Sequence, residues 1–203
     1  MKKSLLLFLL VLPLLAASCF AQESRQDISL SGTAIIPPFA SGDGVHVHAT
    51  TGWAGGLASY RFMLTPHGAL ELNYQYTQDV MHFTGPSIPG YIIHNRFEEF
   101  SGAYVRSFTF KNFNPFIEGG PAGFMISPID DAKTTTYGIS RSTEIGGLYG
   151  AGIAYEVSPS FDIRVEYRGL ILKTPSFNYP GNDLRTNVYY NIYDPVIGVA
   201  YHF

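Results

Sequence analysis

Three groups of residues in this 203-residue chain have types and spacing that invite chemistry. His46-Val47-His48 sets two imidazoles on one side of an extended segment. Two ligands are not a metal site, so the pair is expected to be exposed in a loop with no metal. Ser140-Arg141-Ser142 offers hydroxyls for nucleophilic hydrolysis, yet no His stands near it in sequence, and His94 has no Ser-containing motif beside it. The third group is the densest: Asp162, Arg164, Glu166 and Arg168 alternate through one segment, Glu71 and Glu156 sit in two others, and Arg61 adds a cation. Charges of both signs on one strand face predict ion pairing in an enclosed space, because an unpaired buried charge is costly. The pattern assigns no catalytic residue, no cofactor and no metal ligand; the seven charged residues form a structural ion-pair network, with an ion-pair gate in a narrow pore as the alternative.

The elements that must position these charges are strands. Leu70, Leu72, Tyr74 and Tyr76 alternate with Glu71, Asn73, Gln75 and Thr77, a period of two that gives one apolar and one polar face. Phe161, Ile163, Val165 and Tyr167 likewise oppose Asp162, Arg164, Glu166 and Arg168. The same alternation marks Asp27–Ile36, Glu144–Val157 and a last strand with Ile197, Val199, Tyr201 and Phe203 on one face. Gly52–Met63, Arg96–Phe110 and Phe116–Ser127 read as strands of weaker phase. In Arg96–Phe110 the apolar phase includes Arg106, a conflict that a bulge would resolve, and Pro121 is unusual for a central strand. Of the connections among these eight strands, three are tight (64–68, 111–115 and 158–160) and four are long (37–51, 79–95, 128–142 and 174–186). Short turns alternating with long loops is the topology of a membrane barrel.

Composition narrows the class. Charged residues are only 14% and aromatics 15% of the chain, and the net charge is −3. That balance excludes intrinsic disorder and argues against a nucleic-acid-binding domain. One Cys excludes a disulfide framework. Met1-Lys2-Lys3, the apolar run Leu5–Leu15 and the small residues around Cys19-Phe20-Ala21 read as a secretory signal peptide over residues 1–21. Cleavage after Ala21 leaves residues 22–203 as one domain; the rival is a degenerate lipobox with Cys19 lipidated. Sparse charge, long strands and Tyr and Phe near strand ends place the apolar face against lipid and the polar face inside. The fold expected is all-β, an eight-stranded antiparallel up-and-down transmembrane β-barrel.

Ala154–Arg168, including Val157-Ser158-Pro159-Ser160-Phe161, resembles the strand–turn–strand of the small outer-membrane β-barrel family that includes the transmembrane domain of outer-membrane protein A and the OmpX/Ail proteins. Gly198–Phe203 resembles that family's closing strand, and Asn114–Gly120 is similar to the opening of its fifth. The resemblance implies residence in the outer membrane among lipid and lipopolysaccharide. It also implies an assembly signal at Val199, Tyr201 and Phe203, read by the barrel-assembly machinery, and surface loops able to hold a ligand. Peptidoglycan anchoring is not implied, since the family member that has it carries a separate domain for it. The role expected is structural or surface-adhesive and not enzymatic, with a narrow pore for small or apolar solutes as the alternative and a lipid-modifying enzyme of the barrel wall a distant second. Val80-Met81-His82-Phe83 and Pro86–Ile93 are apolar for a loop in water; strands running past the bilayer, with loops packed on one another, are preferred over a sticky patch.

Overall fold

The computed structural model describes residues 25–50, 52–86, 88–135, 138–179 and 184–203. The segment read as a signal peptide, Cys19 included, lies outside them, as do Thr136 and Tyr137 of the third long connection. The elements in order are β1 (Gln26–Ile35), β2 (Ala40–Gly42), β3 (Val45–Ala49), β4 (Gly52–Thr65), β5 (Gly68–Gly85), β6 (Ile88–Ser107), β7 (Phe113–Pro128), β8 (Ser142–Ser158), β9 (Phe161–Lys173) and β10 (Tyr189–His202). Eight of them form a ring. β1 pairs with β4, each later strand from β4 onward with the next, and β10 returns to β1, all antiparallel, with Asp27 opposite His202 and Thr33 opposite Val196 at the closure. Every strand of the ring therefore has two neighbours, the arrangement that leaves no open edge.

Period-two alternation becomes inside against outside. Leu30, Leu72, Phe100, Ile145, Ile163, Val165 and Val199 face out, Ile145 at 82% and Leu30 at 68% exposure. Glu71, Asn73, Gln75, Arg164, Glu166 and Arg168 face in and are buried. A continuous apolar exterior of this extent is costly in water and stable in hydrocarbon.

Three features differ from the sequence reading. Within 37–51, residues 40–42 and 45–49 are strand and not loop, and most of 79–95 continues β5 and β6, the strand extension preferred above to a sticky patch. β2 and β3 form a hairpin whose second strand pairs with the far part of β5, His46 opposite Thr84 and Ala49 opposite Met81, while β5 and β6 continue paired up to Gly85 and Ile88. The cause is a period-two pattern in these segments too: Val45, Val47, Ala49, Met81 and Phe83 are buried while His46, His48 and Thr84 are exposed. The hairpin turns on Asp43 (φ 50°) and Gly44 (φ 79°), two successive left-handed residues as a tight hairpin requires. Secondly, β6 needs no bulge within Arg96–Ser107. Its register against β5 is unbroken from Arg106 to Tyr91, and Arg106 simply faces out opposite Gly68 at the short-turn end, where a long cation reaches water. Thirdly, Pro121 points outward in β7. It pairs with Gly147 of β8, but the ladder to β6 runs from Asn95–Pro128 to Ser101–Ala122 and resumes at Tyr104–Gly119, interrupted where Pro lacks its N–H.

The exterior gives a direct test. Val165→Arg puts a charge on the lipid face midway along β9 and should cost about 2–4 kcal/mol in equilibrium urea unfolding from vesicles. A cost near zero would mean this face meets water.

Candidate functional site in the lumen

The interior is stacked in levels, because inward side chains of neighbouring strands meet two residues apart along each strand. At the short-turn end, Asp27 of β1 accepts from Arg164 Nη2 of β9 at 2.8 Å, and Arg61 of β4 reaches Glu71 of β5 at 2.6 Å. The Arg61 guanidinium also lies 4.9 Å from the Phe116 ring centroid, a cation–π contact. His202 Nε2 stands 2.9 Å from Asp162. Below them opens a cavity of about 260 Å³, lined in part by Met63, Phe116, Glu156, Asp162, Arg164 and His202. Glu156 is half-buried there and makes no ion pair with a described residue.

Midway up, Arg168 is the hub. Its side chain is 0% exposed and donates from Nη2 to Glu99 at 2.6 Å and from Nη1 to Gln75 at 2.9 Å and to Asp194 at 3.2 Å. Its Nε lies 3.6 Å from both Glu118 and Glu166. Thr33 donates to Asp194, and Gln75 Nε2 reaches Thr33 and Asp194 at 3.3 Å each, so β1, β5, β6, β7, β9 and β10 meet in one network. A position on β8 makes room for it: a Cβ at Gly150 would stand 2.7 Å from the Glu118 carboxylate.

Above that belt the lumen turns apolar. Ile35, Phe97, Phe124, Leu170, Leu172 and Ile192 are all fully buried, with Phe97 and Phe124 rings 5.7 Å apart. Over them the β2–β3 hairpin, the far ends of β5 and β6 and the last connection close a lid. Phe177 is fully buried with φ 50° and meets Phe83 edge-on at 6.0 Å. A non-glycine residue held in the left-handed region is strained, and burial of the ring offsets that strain. The lid is tied at its rim by Asn187 to Asp43 at 2.6 Å and by Ile92 and His94 N–H groups to Thr135 and Thr134. His94 Nδ1 sits 2.8 Å from Asp131. Although partial desolvation opposes it, this bond, with a backbone N–H from Lys133, holds the Asp131 carboxyl below the ordinary range.

The structure thus brings Arg61, Glu71, Asp162, Arg164, Glu166 and Arg168 into the lumen and leaves Glu156 at its mouth. Sequence reasoning missed Asp27, Glu99, Glu118 and Asp194 as network members. His46 and His48 face outward on β3, His46 Nδ1 2.7 Å from Ser41 and His48 opposite His82. Ser140 accepts from Asn178, and Ser142 donates to Glu144. Among the described residues, no three His, Cys, Asp or Glu are grouped as a metal centre would need. Val199, Tyr201 and Phe203 are exposed on the outer face.

A family model described as outer membrane protein beta-barrel domain matches residues 7–203. Among solved structures, Neisserial surface protein A is similar with a TM-score of 0.61 at 14% identity, over 89% of this chain and 98% of that one. OprG from Pseudomonas aeruginosa gives 0.60 at 11% identity, over 90% and 97%. Ail of Yersinia pestis, solved with the heparin analogue sucrose octasulfate, gives 0.50 at 13% identity, over 88% and 96%. At such identities the likeness is one of fold. No curated protein matches the chain.

The network makes a quantitative demand. Arg168→Met leaves Glu99 and Asp194 buried without their cation and should cost about 3–5 kcal/mol in urea unfolding. Adding Glu99→Gln to that variant should recover part of the loss, and failure to recover any would mean that the two groups are not coupled.

Proposed function

From the premise that the chain belongs to the outer membrane protein beta-barrel domain family and resides in the outer membrane, we propose that it is a closed barrel. On this reading it conducts nothing, catalyses nothing and presents a rigid, lidded surface outside the cell in a structural or adhesive role. The observation that supports this is occlusion at successive depths: the Arg168 belt, the Phe97–Phe124 layer and the Phe83–Phe177 lid are all built of buried side chains. A solute would have to displace all three. The short turns and both strand termini of the ring face the periplasm, and the lid faces out. The exposed apolar wall meets membrane lipid and lipopolysaccharide, and the outward Val199, Tyr201 and Phe203 serve the assembly machinery during insertion. Ail, a protein of the same fold, was solved with a heparin analogue, which suits a lidded barrel whose function lies at its surface.

The test is planar-bilayer conductance of refolded residues 22–203, after a shift between unheated and boiled samples on a gel confirms folding. The expected result is a silent bilayer. Discrete, reproducible current steps that change on Arg164→Ala or Glu71→Ala would replace this reading with a pore.

A further inference from the structure

The cavity at the short-turn end holds more carboxylate than its cations can match. Its wall draws on three turns, through Pro66, Thr109 and Pro159, so the space of about 260 Å³ opens at that mouth. Glu156 and Asp162 both line it and stand directly opposite one another on β8 and β9. Like charges in that position repel. Asp162 is 6% exposed and has His202 Nε2 2.9 Å from its Oδ2, while its Oδ1 takes no hydrogen bond from a described residue. The half-buried Glu156 carboxylate accepts no hydrogen bond from a described residue and forms no ion pair with one. The two guanidiniums in the wall are already matched, Arg61 to Glu71 at 2.6 Å and Arg164 to Asp27 at 2.8 Å. Four carboxylates thus face three cations even with His202 charged. Lys111, beside Asn112 whose carbonyl accepts from the Glu156 N–H, neither lines the cavity nor pairs with a described residue.

We propose that this cavity is a binding site for a primary alkylammonium group, of the kind carried by a linear diamine or by a lysine side chain. An ammonium presents three N–H donors and one positive charge, which answers the facing Glu156–Asp162 pair and the missing cation together. Asn114 and Ser107 stand in the same wall with oxygens for the third donor. Met63 and Phe116 also line the space and give the methylene stem an apolar surface. An anion finds no free cation here, since both guanidiniums carry counter-charges of their own. Among the described residues no three acidic, thiol or imidazole groups converge on a metal ion, so a cation that brings its own directed N–H groups fits where a bare one does not. The site lies between the mouth and the Arg168 belt, so a closed barrel still admits its occupant from the short-turn side.

The experiment is calorimetric titration of the refolded barrel in a non-ionic detergent at low salt. Putrescine and N-acetyl-lysine amide are the probes, and butanol is the uncharged control. Putrescine should bind saturably, shift the Met63 methyl NMR signal as it does so, and bind more weakly as salt is added. Glu156→Gln and Asp162→Asn, each first shown to fold by the gel shift on heating, should each weaken binding by about tenfold, the loss of one charge-assisted hydrogen bond. Asp131→Asn, which removes a carboxylate at the far end, should leave the affinity unchanged, and so should Lys111→Ala. Binding of the lysine amide as well would open the site to a side chain of a protein partner, and binding of putrescine alone would restrict it to free amines; both support an ammonium site. No saturable binding of either probe, or butanol binding as well as putrescine, would overturn the proposal. So would an equal loss in Asp131→Asn, which marks attraction by net charge alone, or tighter binding in Lys111→Ala, which makes Lys111 the native occupant.

Discussion

Closure of the sheet governs everything else in this molecule. In hydrocarbon no water is available to backbone N–H and C=O groups, so a spanning strand must find partners on both sides. The β1–β10 pairing supplies the last of them, from Asp27–His202 to Thr33–Val196. Once the ring is shut, the pleat sends every second side chain outward to lipid and every other one into a narrow interior. The exterior then has to be apolar over its whole circumference, and it is. The sequence's polar residues have nowhere to go but inward. The break in the β6–β7 ladder at Pro121 is tolerated because β7 keeps its other partner, Gly147 of β8.

The inward residues face the opposite problem. A guanidinium or carboxylate inside a small lumen is stable only with hydrogen-bonded counter-charges. Arg168 satisfies this by gathering groups from five other strands, which makes the belt both a brace across the barrel and an obstruction within it. Farther out, the interior changes character. The Phe97–Phe124 layer and the Phe83–Phe177 lid resemble the core of a soluble domain, and they rest on strands such as β5 and β6, whose 18 and 20 residues exceed the roughly 9–11 a strand needs to cross the hydrocarbon. A polar brace midway along the barrel and an apolar plug toward the lid thus fill the interior at successive depths, which is the basis of the closed-barrel proposal.

Much of this was legible in the residue pattern. Strict alternation in 69–77 and 161–168 fixed the facing of β5 and β9, and with them Glu71, Arg164, Glu166 and Arg168. Asp194 was readable as well, since the outward phase of Ile197, Val199 and Tyr201 continues back through Pro195 and leaves Asp194 inside. Glu99 was hidden because outward Arg106 broke the apolar phase of β6; a strand end at the water boundary does not obey the rule that holds at its middle. Glu118 sat beyond Pro121, in a strand whose facing the proline obscured. The β2–β3 hairpin had a sequence signal, Asp43-Gly44 between alternating apolar residues, outweighed by the Pro and Gly around it. The three-level stacking had none: it follows from the register between strands, which only the closed sheet fixes.

The central claim is that the interior is sealed, and a single cysteine measures it. Residues 22–203 contain no Cys, so Ile192→Cys, in the apolar layer where the native side chain is fully buried, reports on that depth alone. In the folded barrel the account expects this thiol to resist a small water-soluble methanethiosulfonate reagent and to react at once after boiling. Rapid labelling of the folded protein would show that water reaches the layer, and the sealed-barrel account would be wrong.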